Sequence, residues 1–231
     1  SLKRLNTEYI DLYQIHWPER PVNSFGQLGY IHNPREDDID INTTLEALSE
    51  ALKEGLIRCI GLSNETPWGV MKFIAAAKEF NLPRVVSIQN PYSLLNRSFE
   101  VGLSEIAINE NVGLLPYSPL AGGVLTGKYL NGKKPENARM TLFERMRSRY
   151  TNQHAENAVV EYQKIATKYN LNLTQMAINF VTNQNFVTSN IIGATSLEQL
   201  EENINSTDCN LNEEVIKEIE AVHKIYTYPC P

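Results

Sequence analysis

The sequence predicts an α/β fold whose parallel strands close into a barrel, and three observations predict it. Short apolar runs alternate with longer amphipathic stretches, so that strand followed by helix recurs five times. Each apolar run ends in polar residues. The one glycine cluster, Leu120-Ala121-Gly122-Gly123-Val124-Leu125-Thr126-Gly127-Lys128, follows the fourth strand and not the first. A doubly wound sheet needs its glycine-rich turn after the first strand, whereas barrels place phosphate sites after late strands. The cluster is not a P-loop, because Tyr129 stands where Ser or Thr should follow the lysine.

The elements follow in order. Tyr9 to His16 is rich in strand formers and stops at Trp17-Pro18. Thr43 to Glu54 has helical spacing, with Leu45, Leu48, Ala51 and Leu52 on one side and Gly55 as a stop signal. Ile57 to Asn64 is the second strand. The helix Pro67 to Phe80 begins with a proline suited to a first turn. Val85 to Asn90 is the third strand, Phe99 to Asn109 a helix and Val112 to Tyr117 the fourth strand. Asn157 to Tyr169 and Thr174 to Asn183 read as helices, Asn190 to Ala194 as a short fifth strand, and Leu197 to Ile204 and Asn212 to Ile225 as the last helices. Two connections are long, 19–42 and 121–152, and long connections in a compact domain tend to carry function.

Composition narrows the function classes. The 231 residues suffice for one domain, 1–231, with a sizeable core. A net charge of −6 argues against nucleic acid as the main partner. The densest basic stretch, with Arg139, Arg145, Arg147 and Arg149, reads either as a solvated face or as a pocket for one or two phosphates. Cys59, Cys209 and Cys230 form neither a disulfide framework nor a zinc motif, which predicts a reducing, cytoplasmic setting. No apolar run approaches the ~20 residues that span a membrane, and Ser1-Leu2-Lys3-Arg4-Leu5 lacks the apolar core of a signal peptide.

In a parallel barrel the active face lies at the C-terminal strand ends. Those ends read His16, Ser63-Asn64, Gln89-Asn90, Tyr117-Ser118 and Gly193-Ala194-Thr195. Taken singly each has a bland explanation: a structural histidine, a helix cap at Ser63-Asn64, a Gln89 that satisfies a buried backbone group. Five together suggest a shared pocket. His16, His32, His154 and His223 are too scattered for a metal site. No GxSxG serine and no carboxylate pair appears. Ser, Asn and Gln suit a carboxamide and Tyr117 can stack on a flat ring; a nicotinamide offers both.

These motifs, with Tyr9-Ile10-Asp11-Leu12-Tyr13-Gln14-Ile15-His16-Trp17, Gln89-Asn90-Pro91-Tyr92-Ser93, Tyr117-Ser118-Pro119-Leu120 and Gly193-Ala194-Thr195…Gln199…Glu202-Asn203, resemble the aldo-keto reductases along essentially the whole chain. The insertion after His16 and the ending Tyr226-Thr227-Tyr228-Pro229 resemble one bacterial branch of them. The resemblance implies a TIM (β/α)8 barrel, here lacking about its first three strands, and NADP(H)-dependent reduction of a small aldehyde or ketone. It implies Ser63, Asn64 and Gln89 on the carboxamide and Tyr117 on the nicotinamide ring. Ser118, Pro119, Leu120, Ala121, Gly122 and Lys128 would wrap the diphosphate, and Arg139 would pair with the 2′-phosphate. Gly193, Thr195, Gln199, Glu202 and Asn203 would hold the adenosine end. His16 matches the histidine that orients the carbonyl, and Trp17 is expected in the substrate pocket. The family's catalytic Asp, Tyr and Lys lie upstream of that histidine, and only fifteen residues precede it here. The chain is therefore expected to be part of a longer protein and inactive alone. The competing reading is a non-catalytic NADP(H)-binding barrel, a regulatory or interaction subunit like the potassium-channel β-subunits. Neither reading decides the oligomeric state, the substrate or a partner beyond a small carbonyl compound.

Overall fold

A computed structural model describes all residues except Ser24 and 144–146. Arg145 of the basic stretch thus lies outside the described residues. The chain divides into two compact units.

The first unit comprises Ser1–Ser24, Gly29–Asn90 and Gly102–Leu115. It holds a four-stranded parallel sheet, β1 (Ile10–Ile15), β2 (Ile57–Ser63), β3 (Val85–Gln89) and β4 (Gly113–Leu114), in sequence order. Four helices accompany it: α1 (Leu2–Leu5), α2 (Ile41–Lys53), α3 (Pro67–Glu79) and α4 (Leu103–Asn109). Strand, helix, strand with parallel pairing is the crossover unit that the alternating pattern predicts. The chemistry of each helix start is visible. Asp40 caps α2 by accepting from the Asn42 N–H, and Thr66 caps α3 by accepting from Gly69 ahead of Pro67. Leu45, Ile60, Leu62, Val70, Ile88 and Leu114 form the buried core. At the register row Gln14–Gly61–Ser87 the sheet admits no side chain in its centre. A Cβ on Gly61 would stand 2.6 Å from Ser87 Oγ and 3.0 Å from Gln14 Cγ. Gly61→Ala is accordingly expected to cost about 1–3 kcal/mol by overpacking, read as a lower midpoint in urea unfolding.

The second unit comprises Phe25–Leu28, Pro91–Val101 and Pro116–Pro231. It is helical: α5 (Arg139–Leu142), α6 (Arg147–Tyr150), α7 (Gln153–Lys168), α8 (Leu173–Thr182), α9 (Leu197–Ile204) and α10 (Glu213–Ile225). Asn152, Asn172, Ser196 and Asn212 each cap a helix with a side-chain oxygen. The core gathers on Tyr92. Its ring stacks on Phe180 at 6.3 Å and meets Phe186 edge-on at 5.4 Å, near the packing distances aromatics prefer. Beside it Arg97 is buried and paired with Glu100 and Glu220 at 2.6 and 2.7 Å.

Three expectations change. The fourth strand keeps only Gly113–Leu114 of its predicted length, because Pro116 has no N–H to continue a ladder. The predicted fifth strand, Asn190 to Ala194, is not a strand. Ile191 donates one bond to the Pro116 carbonyl, Pro116 cannot donate in return, and 191–194 stay exposed. The helix predicted from Phe99 splits into a 3-10 turn, Ser98–Val101, and α4. Gly102 breaks it, with φ −158°. The 121–152 connection is not featureless: it contains the 3-10 segments Ala121–Thr126 and Leu130–Gly132 as well as α5 and α6.

Candidate functional site

In the first unit the strand ends meet through hydrogen bonds. Register places Ile15 beside Leu62 and Ser63 beside Gln89, so His16, Ser63-Asn64 and Gln89 emerge at one end of adjacent strands. Asn64, at φ 55°, turns the chain sharply there, a conformation that asparagine tolerates better than most residues. Its Nδ2 donates to the His16 carbonyl at 2.9 Å and to Ser63 Oγ at 3.3 Å. Ser63 Oγ and the Asn64 backbone N–H both donate to the Gln89 carbonyl, at 2.7 and 3.1 Å. Two of the bland alternatives do not match the structure. Thr66, not Ser63 or Asn64, caps the following helix. The Gln89 backbone carbonyl accepts, while its carboxamide is bound to nothing among the described residues.

Two supports escaped the sequence reading. Asn90 is buried, accepts the Glu65 N–H at 3.1 Å and donates to the Glu65 carbonyl at 2.9 Å. It thereby locks the turn after β2 to the end of β3. Glu65 in turn is buried and paired with Arg20 at 2.6 Å, and Arg20 lies 4.7 Å over the Trp68 ring. That pair ties the start of the 19–42 connection to the head of α3. Asn90 stood in the quoted motif without a role. The arginine–glutamate pair spans 45 positions and leaves no local signal. Trp17 is 37 % exposed beside His16, with ring centroids 6.1 Å apart.

In the second unit a run of left-handed residues marks the glycine segment: Ser118 at φ 58°, Ala121 at 49°, Gly122 at 65° and Gly123 at 94°. Such alternation turns backbone N–H groups inward and forms concavities suited to anions. Space is as constrained as conformation, because a Cβ on Gly122 would fall 2.3 Å from the Met140 Cε. Lys128 folds back toward Gly123, and its ammonium lies 5.4 Å from the Tyr129 ring. These features fit a diphosphate: donors in a curve, a glycine where the backbone must be approached and one cation. Pro119 and Leu120 lie in the same segment, which a buried Ala121 anchors. Arg139 opens α5 and is exposed. A cavity of about 170 Å³ lies nearby, lined in part by Tyr129, Met140, Thr141 and Tyr150.

Tyr117 precedes the segment. Its backbone carbonyl accepts from Tyr92 N–H, and burial pushes its phenol well above the ordinary tyrosine range, opposed by the neighbouring Arg149 charge. Further along, Asn203 Nδ2 donates to the Gly193 carbonyl at 3.1 Å, and Gln199 Oε1 accepts from both Thr195 N and Thr195 Oγ1. The segment from Gly193 to Thr195 is thus tied to α9. Glu202 stands apart: its carboxylate accepts from Asn172 Nδ2 at 2.9 Å, so it also fastens α9 to the start of α8. Among the described residues no group of His, Cys, Asp and Glu could hold a metal, and no helix is long and apolar enough to cross a membrane.

Comparison with known proteins gives these parts a common family. The profile described as the aldo/keto reductase family matches residues 1–224. The chain is 54 % identical over 231 residues to Protein tas of Escherichia coli, covering 100 % of this chain and 66 % of that protein. It is 43 % identical over 216 residues to an aldo-keto reductase of Babesia bovis, covering 88 % of this chain and 76 % of that one. It is 31 % identical over 209 residues to L-glyceraldehyde 3-phosphate reductase of E. coli, covering 88 % of this chain and 55 % of that enzyme. The chain spans about two thirds of the length of Protein tas. With the profile matching nearly end to end, the chain belongs to the aldo/keto reductase family.

Proposed function

We propose that this chain carries the cofactor-binding part and the carbonyl-orienting histidine of an NADP(H)-dependent reductase of small aldehydes or ketones. The observation that carries this reading is the hydrogen-bonded group His16–Ser63–Asn64–Gln89, with the Gln89 carboxamide unengaged among the described residues. In this reading Gln89, Ser63 and Asn64 take the nicotinamide carboxamide and Tyr117 stacks on the ring. Ser118, Pro119, Leu120, Ala121, Gly122 and Lys128 take the diphosphate. Gly193, Thr195, Gln199, Glu202 and Asn203 take the adenosine, and Arg139 takes the 2′-phosphate that distinguishes NADP(H) from NAD(H). Bound there, the cofactor supplies hydride chemistry.

The chain's own residues then have defined tasks. Asn64 holds the His16 main chain, so the imidazole is presented from a fixed strand end. Its N–H donates to the substrate carbonyl oxygen, where charge builds as the carbon is reduced. Trp17 shields that position from water. The architecture proposed for the fold is the family's TIM (β/α)8 barrel, and a reducing, cytoplasmic setting suits the three free cysteines. A single neutral carboxamide contact decides the test. Gln89→Ala is expected to weaken NADPH binding about tenfold, in keeping with one hydrogen bond of about 1.4 kcal/mol, without changing the circular dichroism. Unaltered affinity would assign Gln89 to structure alone. NADPH binding without turnover of 4-nitrobenzaldehyde in the intact protein would favour the non-catalytic subunit instead.

A further inference from the structure

We propose that the cavity behind the glycine segment is an effector site for a single-ring aromatic carboxylate, whose binding tightens the hold on the cofactor. The proposal deepens the reading above, because it rests on residues 118–122 as the diphosphate segment. It lies wholly within the second unit. The cavity measures about 170 Å³, close to the roughly 150 Å³ that takes up one benzene ring. Tyr129, Tyr150 and Met140 line it with ring faces and a thioether, the surfaces that hold an aromatic ring best. Lys133 and Lys134 also line it and are exposed, and neither pairs with a carboxylate among the described residues. Glu156, the carboxylate of the lining, accepts from the Asn131 N–H at 3.0 Å. It thereby holds the turn at which Asn131 and Gly132 take φ 59° and 71°. Two ammonium groups against one carboxylate leave the lining net positive. An aromatic ring that carries one carboxylate meets both parts of it, the ring on the apolar wall and the anion on the lysines.

The wall that such a ligand touches is also the back of the glycine segment. Met140 and Tyr150 are both buried. Met140 Cε fills the space where a Cβ on Gly122 would stand, and the Tyr150 ring lies 3.6 Å from the same point. Tyr129 Cε2 lies 3.6 Å from the corresponding point on Gly123, and the Tyr129 hydroxyl accepts from the Met140 N–H at 3.1 Å. Burial pushes the Tyr150 phenol up, against the Arg149 charge and a hydrogen bond with Ser118. These three side chains therefore have one face on the cavity and another on Ser118, Gly122 and Gly123, the left-handed residues proposed to curve around the diphosphate. Close-packed side chains pass strain to their neighbours. A ligand in the cavity pins the wall, so the amide curve has less freedom left to lose when it closes on the cofactor. Coupling of this kind is reciprocal: each ligand tightens the other by the same factor.

Calorimetric titration of the intact protein with benzoate tests the site and needs no turnover. Wild type is expected to bind benzoate with a Kd on the order of 1 mM, and neutral benzyl alcohol about tenfold more weakly. Lys133→Met combined with Lys134→Met should weaken benzoate about tenfold and leave the NADPH Kd in the absence of benzoate unchanged. Thr141→Trp, at an exposed position of α5 on the cavity lining, should fill the cavity and abolish benzoate binding. Saturating benzoate should tighten NADPH about fivefold in wild type but not in Thr141→Trp, and saturating NADPH should tighten benzoate equally. Benzoate binding that is absent from wild type, or unchanged in both variants, would overturn the proposal. So would competition between benzoate and NADPH, which would mean that a phosphate of the cofactor takes the lysines. Benzoate binding with no effect on NADPH would overturn it as well. An intact protein that shows the binding and the coupling but reduces no aldehyde would remove the reductase reading and leave this site standing.

Discussion

Arg97→Ala is expected to destabilise the protein by about 3–5 kcal/mol, because it breaks a largely buried ion-pair cluster. The Arg97 side chain is 7 % exposed, against 28 % for Glu100 and 38 % for Glu220. Removing the cation leaves Glu100 facing the Tyr92 hydroxyl, which donates to it, and leaves Glu220 with no partner at its bonded oxygen. Burial and the Glu100 carboxylate push the Tyr92 phenol far above its usual range, so it stays neutral, and a neutral phenol does not replace the lost positive charge. The guanidinium also covers the Phe180 ring at 5.0 Å, so packing is lost with charge. Because Glu220 is half in water, the value should fall toward the lower end, and Glu220→Gln should cost less than about 1 kcal/mol. Urea unfolding followed by far-ultraviolet circular dichroism reads both. An unmoved midpoint in Arg97→Ala would show that water replaces the arginine at no cost.

In the intact protein, His16→Ala is expected to lower kcat/KM for 4-nitrobenzaldehyde by about 10²–10³-fold, the usual consequence of losing one donor to a developing oxyanion. NADPH affinity should stay the same, since the contacts proposed for the cofactor belong to other residues. Asn64 bonds the His16 backbone carbonyl and not its ring, so removing the imidazole leaves the turn in place. Asn64→Ala should behave differently, loosening both the cofactor and the histidine and changing Kd and kcat together. A variant at position 16 that lost NADPH affinity as well would assign the histidine a structural part in the cofactor site.

Much of the fold was legible because it rests on local chemistry. Helices α2, α3, α7, α8, α9 and α10 fall within a few residues of their predicted ranges, each carrying a side-chain cap that short-range spacing can reveal. The first three strands were legible from their local richness in strand formers, and the second is buried without a break from Ile60 to Ser63. The errors came where a strand needs a partner. Asn190 to Ala194 has the composition of a strand, and Val112 to Tyr117 has the length of one. Pairing is a property of two segments, however, and Pro116 withdraws a donor from both.

The site divides along the same line. His16, Ser63, Asn64, Gln89 and the glycine segment could be named from sequence because strand ends and left-handed turns leave short signatures. That Ser63 and Asn64 bond across to the Gln89 and His16 backbone carbonyls rather than capping a helix was decided only by strand register, which brings those carbonyls, 26 and 48 positions away, within reach of the two side chains. The Arg20–Glu65 pair and the Asn90 lock belong wholly to tertiary structure. Each joins segments with no local relation, and burial gives each its weight: in water these groups would exchange partners freely, while inside the fold an unmet donor has nothing else to turn to.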